Sequence, residues 1–232
     1  MAAMTTKSIR QGVSKIAKCM YSSEDDKVDF LPWDLRRLVI AKKLRANSPL
    51  QLNERHAAIR YGRNIQVSPT NEDQLGPIWQ FWAQGSSDLP PIVQTCLQSV
   101  ERNSGGRQRI MLSAESVHEY LQIPDSIMDR IPFWGWTKFS NLVRVMLLAQ
   151  YGGTWIDATV LIEHPIPDWI EQRNFFVFRW PNDPRILATW FIHARARNPL
   201  MTAMCAAYQD YWLRVEVPGD YFMFHYIFEV II

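Results

Sequence analysis

The stretch that most constrains this chain is a helical pattern that meets two glycines and emerges as a strand. Between about Thr137 and Gln150, the residues Phe139, Leu142, Val143, Met146 and Leu147 recur at helical spacing, which predicts a helix with one buried stripe. Gly152–Gly153 stop it. Thr154-Trp155-Ile156 follows, β-branched and aromatic, and reads as a strand with Asp157 near its carboxyl end.

The neighbouring segments extend the same grammar. Ile78–Trp82 is an apolar, aromatic run of strand length. Pro90–Pro91 open a helix with Ile92, Val93, Cys96, Leu97 and Val100 on one face, and Arg109–Leu112 reads as the next strand. Ser116 and Glu119 have capping-box spacing. Phe175–Arg179 and Trp190–His193 are further strand candidates, and Asn198–Pro199 cap a helix reaching Trp212. Strands alternating with helices predict an α/β domain with a largely parallel sheet. In open sheets of that kind, ligands gather beyond the carboxyl ends of the strands, where Asp157 lies.

The domain is expected over residues 77–232, preceded by a basic, partly helical extension and linker over residues 1–76. Residues 1–45 hold ten Lys/Arg against five Asp/Glu, and the remainder fifteen against eighteen, so a total of +2 splits into +5 and −3. Such a balance gives no reason to expect nucleic acid. Basic residues interleaved with Ile9, Val13, Ile16, Trp33 and Leu38 instead suggest contact between residues 1–45 and an anionic membrane surface. Three scattered cysteines fit neither a disulfide framework nor a zinc site, which favours a reducing compartment. The expected location is the cytoplasm, peripheral to the inner face of the membrane, since no apolar run approaches the ~18–20 residues of a membrane span.

The chemistry concentrates in Ser140-Asn141-Leu142-Val143-Arg144 and Tyr151-Gly152-Gly153-Thr154-Trp155-Ile156-Asp157-Ala158-Thr159. The helix and its tight return bring the Arg144 guanidinium and the Asp157 carboxylate to one end of the sheet. Two readings stand side by side. The pair is a structural ion pair, or Asp157 holds a divalent cation against a diphosphate while Arg144 orients it. A hydrolase with two carboxylates across a scissile bond finds no partner for Asp157, since Glu163 and Asp168 lie in a Pro-rich loop.

These segments resemble glycosyltransferases with a DXD sugar-binding motif, relatives of the yeast initiating α-1,6-mannosyltransferase, and most of all their capsular polysaccharide synthesis branch. Ile78-Trp79-Gln80-Phe81-Trp82 is similar to the family's first strand, Ser140 to Arg144 to its Ser-Asp-x-x-Arg helix, and Tyr151 to Asp157 to its Tyr-Gly-Gly-x-x-x-Asp strand. Tyr221 to His225 also looks familiar, and the likeness runs from about Pro77 onward. It implies a GT-A-like, Rossmann-related domain that transfers a sugar from a nucleotide-diphosphate donor to a glycan or lipid-linked acceptor, with retention of configuration. It further implies catalytic Asp157 and Arg144, and donor contacts from Gln80, Trp82, Ser140, Asn141, Gly153 and Thr159. Mn²⁺ or Mg²⁺ would bind at Asp157, with His225 as a further ligand.

Two departures bear on activity. Thr159 stands where DXD has its second aspartate, and Asn141 replaces the helix aspartate. Thr159 and the apolar ending Val230-Ile231-Ile232 support a second expectation, a truncated or non-catalytic protein that binds sugar nucleotides.

Overall fold

The computed structural model describes residues 75–179, 187–216 and 221–232. The helical extension, Cys19 and the membrane contact expected of residues 1–45 lie outside them. The described chain runs β1 (Ile78–Phe81), α1 (Pro91–Arg102), β2 (Arg109–Leu112), a 3₁₀ turn (Ser116–Glu119), α2 (Asp125–Met128), α3 (Ile131–Trp134) and α4 (Trp136–Gln150). It continues through β3 (Gly153–Ile156), α5 (Asp168–Glu171), β4 (Phe175–Val177), β5 (Phe191–Ala194), α6 (Pro199–Arg214) and α7 (Met223–Ile231).

The strands form one sheet in the order β2-β1-β3-β5-β4. β1 pairs parallel with β2 and β3, but β5 runs antiparallel to both β3 and β4. The sheet is therefore mixed, and the expectation of a mostly parallel one is corrected in this half. Parallel neighbours need a crossover, usually a helix. The link from β4 to β5 carries Pro181 and Pro184 and no helical periodicity, and the Ala188 N–H donates to the Phe178 carbonyl at 2.7 Å, closing the pair as a hairpin does.

The pleat sorts the two faces. Trp79, Phe81 and Trp155 join the large core under α4, α6 and α7, with Phe139, Leu142, Leu147, Tyr208 and Trp212. Trp82 and Met111 pack on the other face with Val93 and Leu97 of α1. α4 is buried from Leu142 to Ala149, and Arg144 is the one charged residue in that run.

The glycine pair is required by geometry. Gly152 and Gly153 have φ of +67° and +101°, and a Cβ on Gly153 would stand 2.2 Å from the Pro77 carbonyl oxygen. The Trp79 indole N–H donates to the Gly152 carbonyl at 2.8 Å and locks the turn to β1. Caps agree in part. The Asn198 side chain accepts from the Leu200 and Met201 N–H groups, as expected. At the 3₁₀ turn, however, Ser113 accepts from the Glu115 and Ser116 N–H groups, so the cap sits three residues before the predicted one. The final helix, α7, was not predicted.

Candidate functional site

Asp157 follows β3 directly. Its backbone is held on both sides, the N–H donating to the Trp190 carbonyl and the carbonyl accepting from the Val160 N–H, each at 2.9 Å. The carboxylate is oriented from behind through one oxygen. Oδ1 accepts from Arg144 Nη2 at 2.7 Å and from Trp155 Nε1 at 2.6 Å. Among the described residues, no hydrogen bond falls on Oδ2. The side chain is 32% exposed, against 3% for Arg144. The carboxylate thus stands at the surface with one oxygen fixed and the other available.

Arg144 is built into the core. Nη1 donates to Asn141 Oδ1 at 2.5 Å, and the guanidinium lies 4.7 Å from the Trp155 ring centre and 5.8 Å from that of Phe224. Its Nε is buried without a hydrogen-bond partner. Burial pushes the guanidinium below its ordinary value while Asp157 works the other way, and arginine starts so high that it stays cationic. Tyr208 of α6 belongs to the same assembly. Burial raises its phenol, opposed by its hydrogen bond to Asn141 and by the Arg144 charge.

The structure gathers Asp157, Arg144 and Asn141, while Ser140, Gly153, Gln80 and Trp82 fall elsewhere. Ser140 turns back to its own helix, donating to the Thr137 carbonyl at 2.8 Å. Gly153 stands at the amino end of β3, the far end from Asp157, where Pro77 dictates a glycine. Gln80 is fully buried, with its side-chain carbonyl 3.5 Å from Arg109 Nη1. It and Trp82 alternate with Phe81 along β1 and therefore lie on the α1 face of the sheet, while Asp157 meets α4 on the opposite face. Thr159 is exposed, and His225 is half-buried with its ring edge-on to Phe222 and Phe224. Among the described residues, no three His, Cys, Asp or Glu side chains converge as a metal site.

Three members of this cluster escaped the sequence reading: Trp155, which donates to the carboxylate, Tyr208, bonded to Asn141, and Phe224, beside the Arg144 guanidinium. Trp155 was recoverable, because residues two apart in a strand share a face. Tyr208 and Phe224 come from α6 and α7, whose meeting with α4 leaves no local signal.

An O-glycosyltransferase of Annulohypoxylon truncatum, braB, is 26% identical over 159 residues, covering 58% of this chain and 37% of that protein. The chain therefore spans well under half of that relative's length. No solved structure matches. Among the described residues, no helix is long and apolar enough to cross a membrane. The model of the capsular polysaccharide synthesis protein family matches residues 37–232, which carries the likeness back beyond Pro77. With most of its length inside that match, the chain belongs to the capsular polysaccharide synthesis protein family.

Proposed function

We propose that this chain is a GT-A-like glycosyltransferase of the DXD-related kind. It moves a sugar, with retention, from a nucleotide-diphosphate donor onto a glycan or lipid-linked acceptor of a surface polysaccharide. The observation that carries the reading is Asp157 itself, a strand-tip carboxylate with one oxygen fixed by two donors and the other free. The family match and the O-glycosyltransferase relative support the same class.

The chemistry asks for charge control. The sugar carbon becomes cation-like at the transition state, as in glycoside hydrolysis, while negative charge builds on the departing diphosphate. Asp157 is the residue to anchor the donor at this point. Arg144, buried behind it, is a positioning residue: it fixes Oδ1 and stops the carboxylate from rotating. No strong base is required if the leaving phosphate takes the acceptor proton.

Mg²⁺ or Mn²⁺ fits the donor set as a partner of substrate phosphates, since such ions are commonly held by one carboxylate, phosphates and water. Asp157 and the Thr159 hydroxyl would hold it, with His225 the weaker candidate, and the bound cation would offset charge on the diphosphate. We place the protein in the cytoplasm, with residues 1–45 against anionic lipid. Sedimentation with anionic vesicles that survives deletion of residues 1–45 would end that part of the proposal.

The main test is a nucleotide-release screen over sugar donors, with and without Mn²⁺, on wild type and Asp157→Ala. Release by wild type and its loss in the variant are expected, and equal release would remove Asp157 from the mechanism. Thr159 in place of a second carboxylate favours one other reading, a non-catalytic binding protein. Calorimetric binding of a sugar nucleotide without turnover would establish it.

A further inference from the structure

We infer that Lys138 is the donor's phosphate contact, a residue to which neither the sequence motifs nor the family match assigns a role. The inference rests on the proposed function and extends it from the strand tip to the facing helix.

Lys138, Asn141 and Arg144 follow one another at three-residue spacing on α4, so they share a stripe. Two aromatic residues of the C-terminal segment confirm which way the stripe faces. Phe224 lies 5.8 Å from the Arg144 guanidinium, and Tyr221 lies 5.9 Å from the Lys138 ammonium. The stripe therefore runs from the buried ion pair at Asp157 outward along the seam between α4 and α7. Arg144 is buried, whereas Asn141 and Lys138 are both half-buried, and Tyr221 beside Lys138 is 63% exposed.

Charge then separates the roles. Arg144 is committed, since its cation is matched by Asp157 at 2.7 Å and its end groups by Asn141 and Asp157. The pair contributes no net charge to a ligand. A free nucleoside diphosphate carries about three negative charges near neutral pH, of which a divalent cation would offset about two, so the site still needs a cation that is not already neutralised. Lys138 meets that need, because among the described residues no carboxylate lies within salt-bridge distance of its ammonium. Its contact with the Tyr221 ring leaves the three N–H donors available to oxygen. A flexible ammonium stem suits a phosphate, which demands charge more than fixed planar geometry.

The test is calorimetric binding of UDP, GDP, ADP and CDP, with Mn²⁺ present, to wild type, Lys138→Gln and Lys138→Arg. Thermal unfolding of each protein serves as a control. Lys138→Gln is expected to weaken the preferred diphosphate roughly tenfold, the scale of a hydrogen bond to a charged group, while Lys138→Arg stays within about threefold of wild type. Unfolding midpoints should barely move, and if the Gln variant proves unstable the Arg comparison decides. Unchanged affinity in Lys138→Gln overturns this inference and leaves the proposed function standing. Equal weakening in the Arg variant also overturns it, since that would mark a packing role and not a charge. If wild type binds none of the four, the proposed function fails and this inference fails with it.

Discussion

The two ends of β3 carry polar clusters built from similar parts, and they differ in what is left open. At the carboxyl end, Asp157 and Arg144 pair with 32% and 3% side-chain exposure, and one carboxylate oxygen is unused. At the amino end, the Thr154 hydroxyl meets His193 Nδ1 at 2.9 Å, with both residues buried. Nearby, Arg107 binds Glu171 at 2.9 Å and donates to the Gly76 and Pro77 carbonyls. The charged groups there are turned onto the protein itself. A buried ion pair alone is weak evidence of function. An ion pair with a free, solvent-facing acceptor is different, because the fold has oriented a charge it does not consume.

If this contrast holds, damage at the amino end should cost the fold and damage at the carboxyl end should cost the reaction. The largest effect is expected for Gly153→Ala. The new Cβ would collide with the Pro77 carbonyl, and φ of +101° is strained for any side chain. We expect a loss above about 4 kcal/mol, enough to leave little folded protein in circular dichroism or denaturant titration. A well-folded variant of wild-type stability would mean that this turn does not brace the sheet.

Asp157→Asn is the matching change at the other end. Asparagine retains an acceptor for Arg144 and Trp155 but not the charge, so most of the fold should survive. Arg144 is buried and loses its matching charge, so some stability is lost and turnover is scored per folded molecule. Turnover should fall about a hundred- to thousandfold, or about 3–4 kcal/mol in transition-state terms, the usual effect of removing a preorganised electrostatic group. A variant that loses stability as Gly153→Ala does, with turnover per folded molecule intact, would make the two ends equivalent and the carboxyl cluster structural.

How far the sequence revealed this layout depended on how local each cause was. The helix–glycine–strand unit was legible because α4 has a stripe, the turn needs glycine, and β3 is β-branched; its bounds came within a residue. Asp157 was found for the same reason. Sheet direction was not, because the antiparallel pairing of β5 with β3 and β4 is set by contacts between strands separated in sequence and leaves no local signal. Motif likeness also grouped Gln80 and Trp82 with Asp157, although alternation along β1 puts them across the sheet. The pleat could have separated them. Tyr208 and Phe224 could not have been found, since they reach Arg144 only through helix packing.

The smallest expected effect concerns His193 and sharpens the contrast through pH. Its imidazole is pushed down to about 4 from an ordinary 6.5, chiefly by burial and then by the Arg107 and Arg195 charges. The native state therefore keeps the ring neutral where the unfolded chain takes up a proton. Stability from this group is complete above pH 6.5 and drains away as pH falls toward 4. Over that window the loss amounts to about 3 kcal/mol at 1.36 kcal/mol per pH unit. Denaturant titrations of wild type and His193→Gln at pH 7.5, 5.5 and 4.5 should show a steeper acid decline in wild type, whatever the offset between them. The amino cluster contains the titrating group, so nucleoside diphosphate binding per folded molecule should not follow this decline in wild type. Parallel curves would show that the ring titrates alike in both states, and that the amino end is less closed than its burial implies.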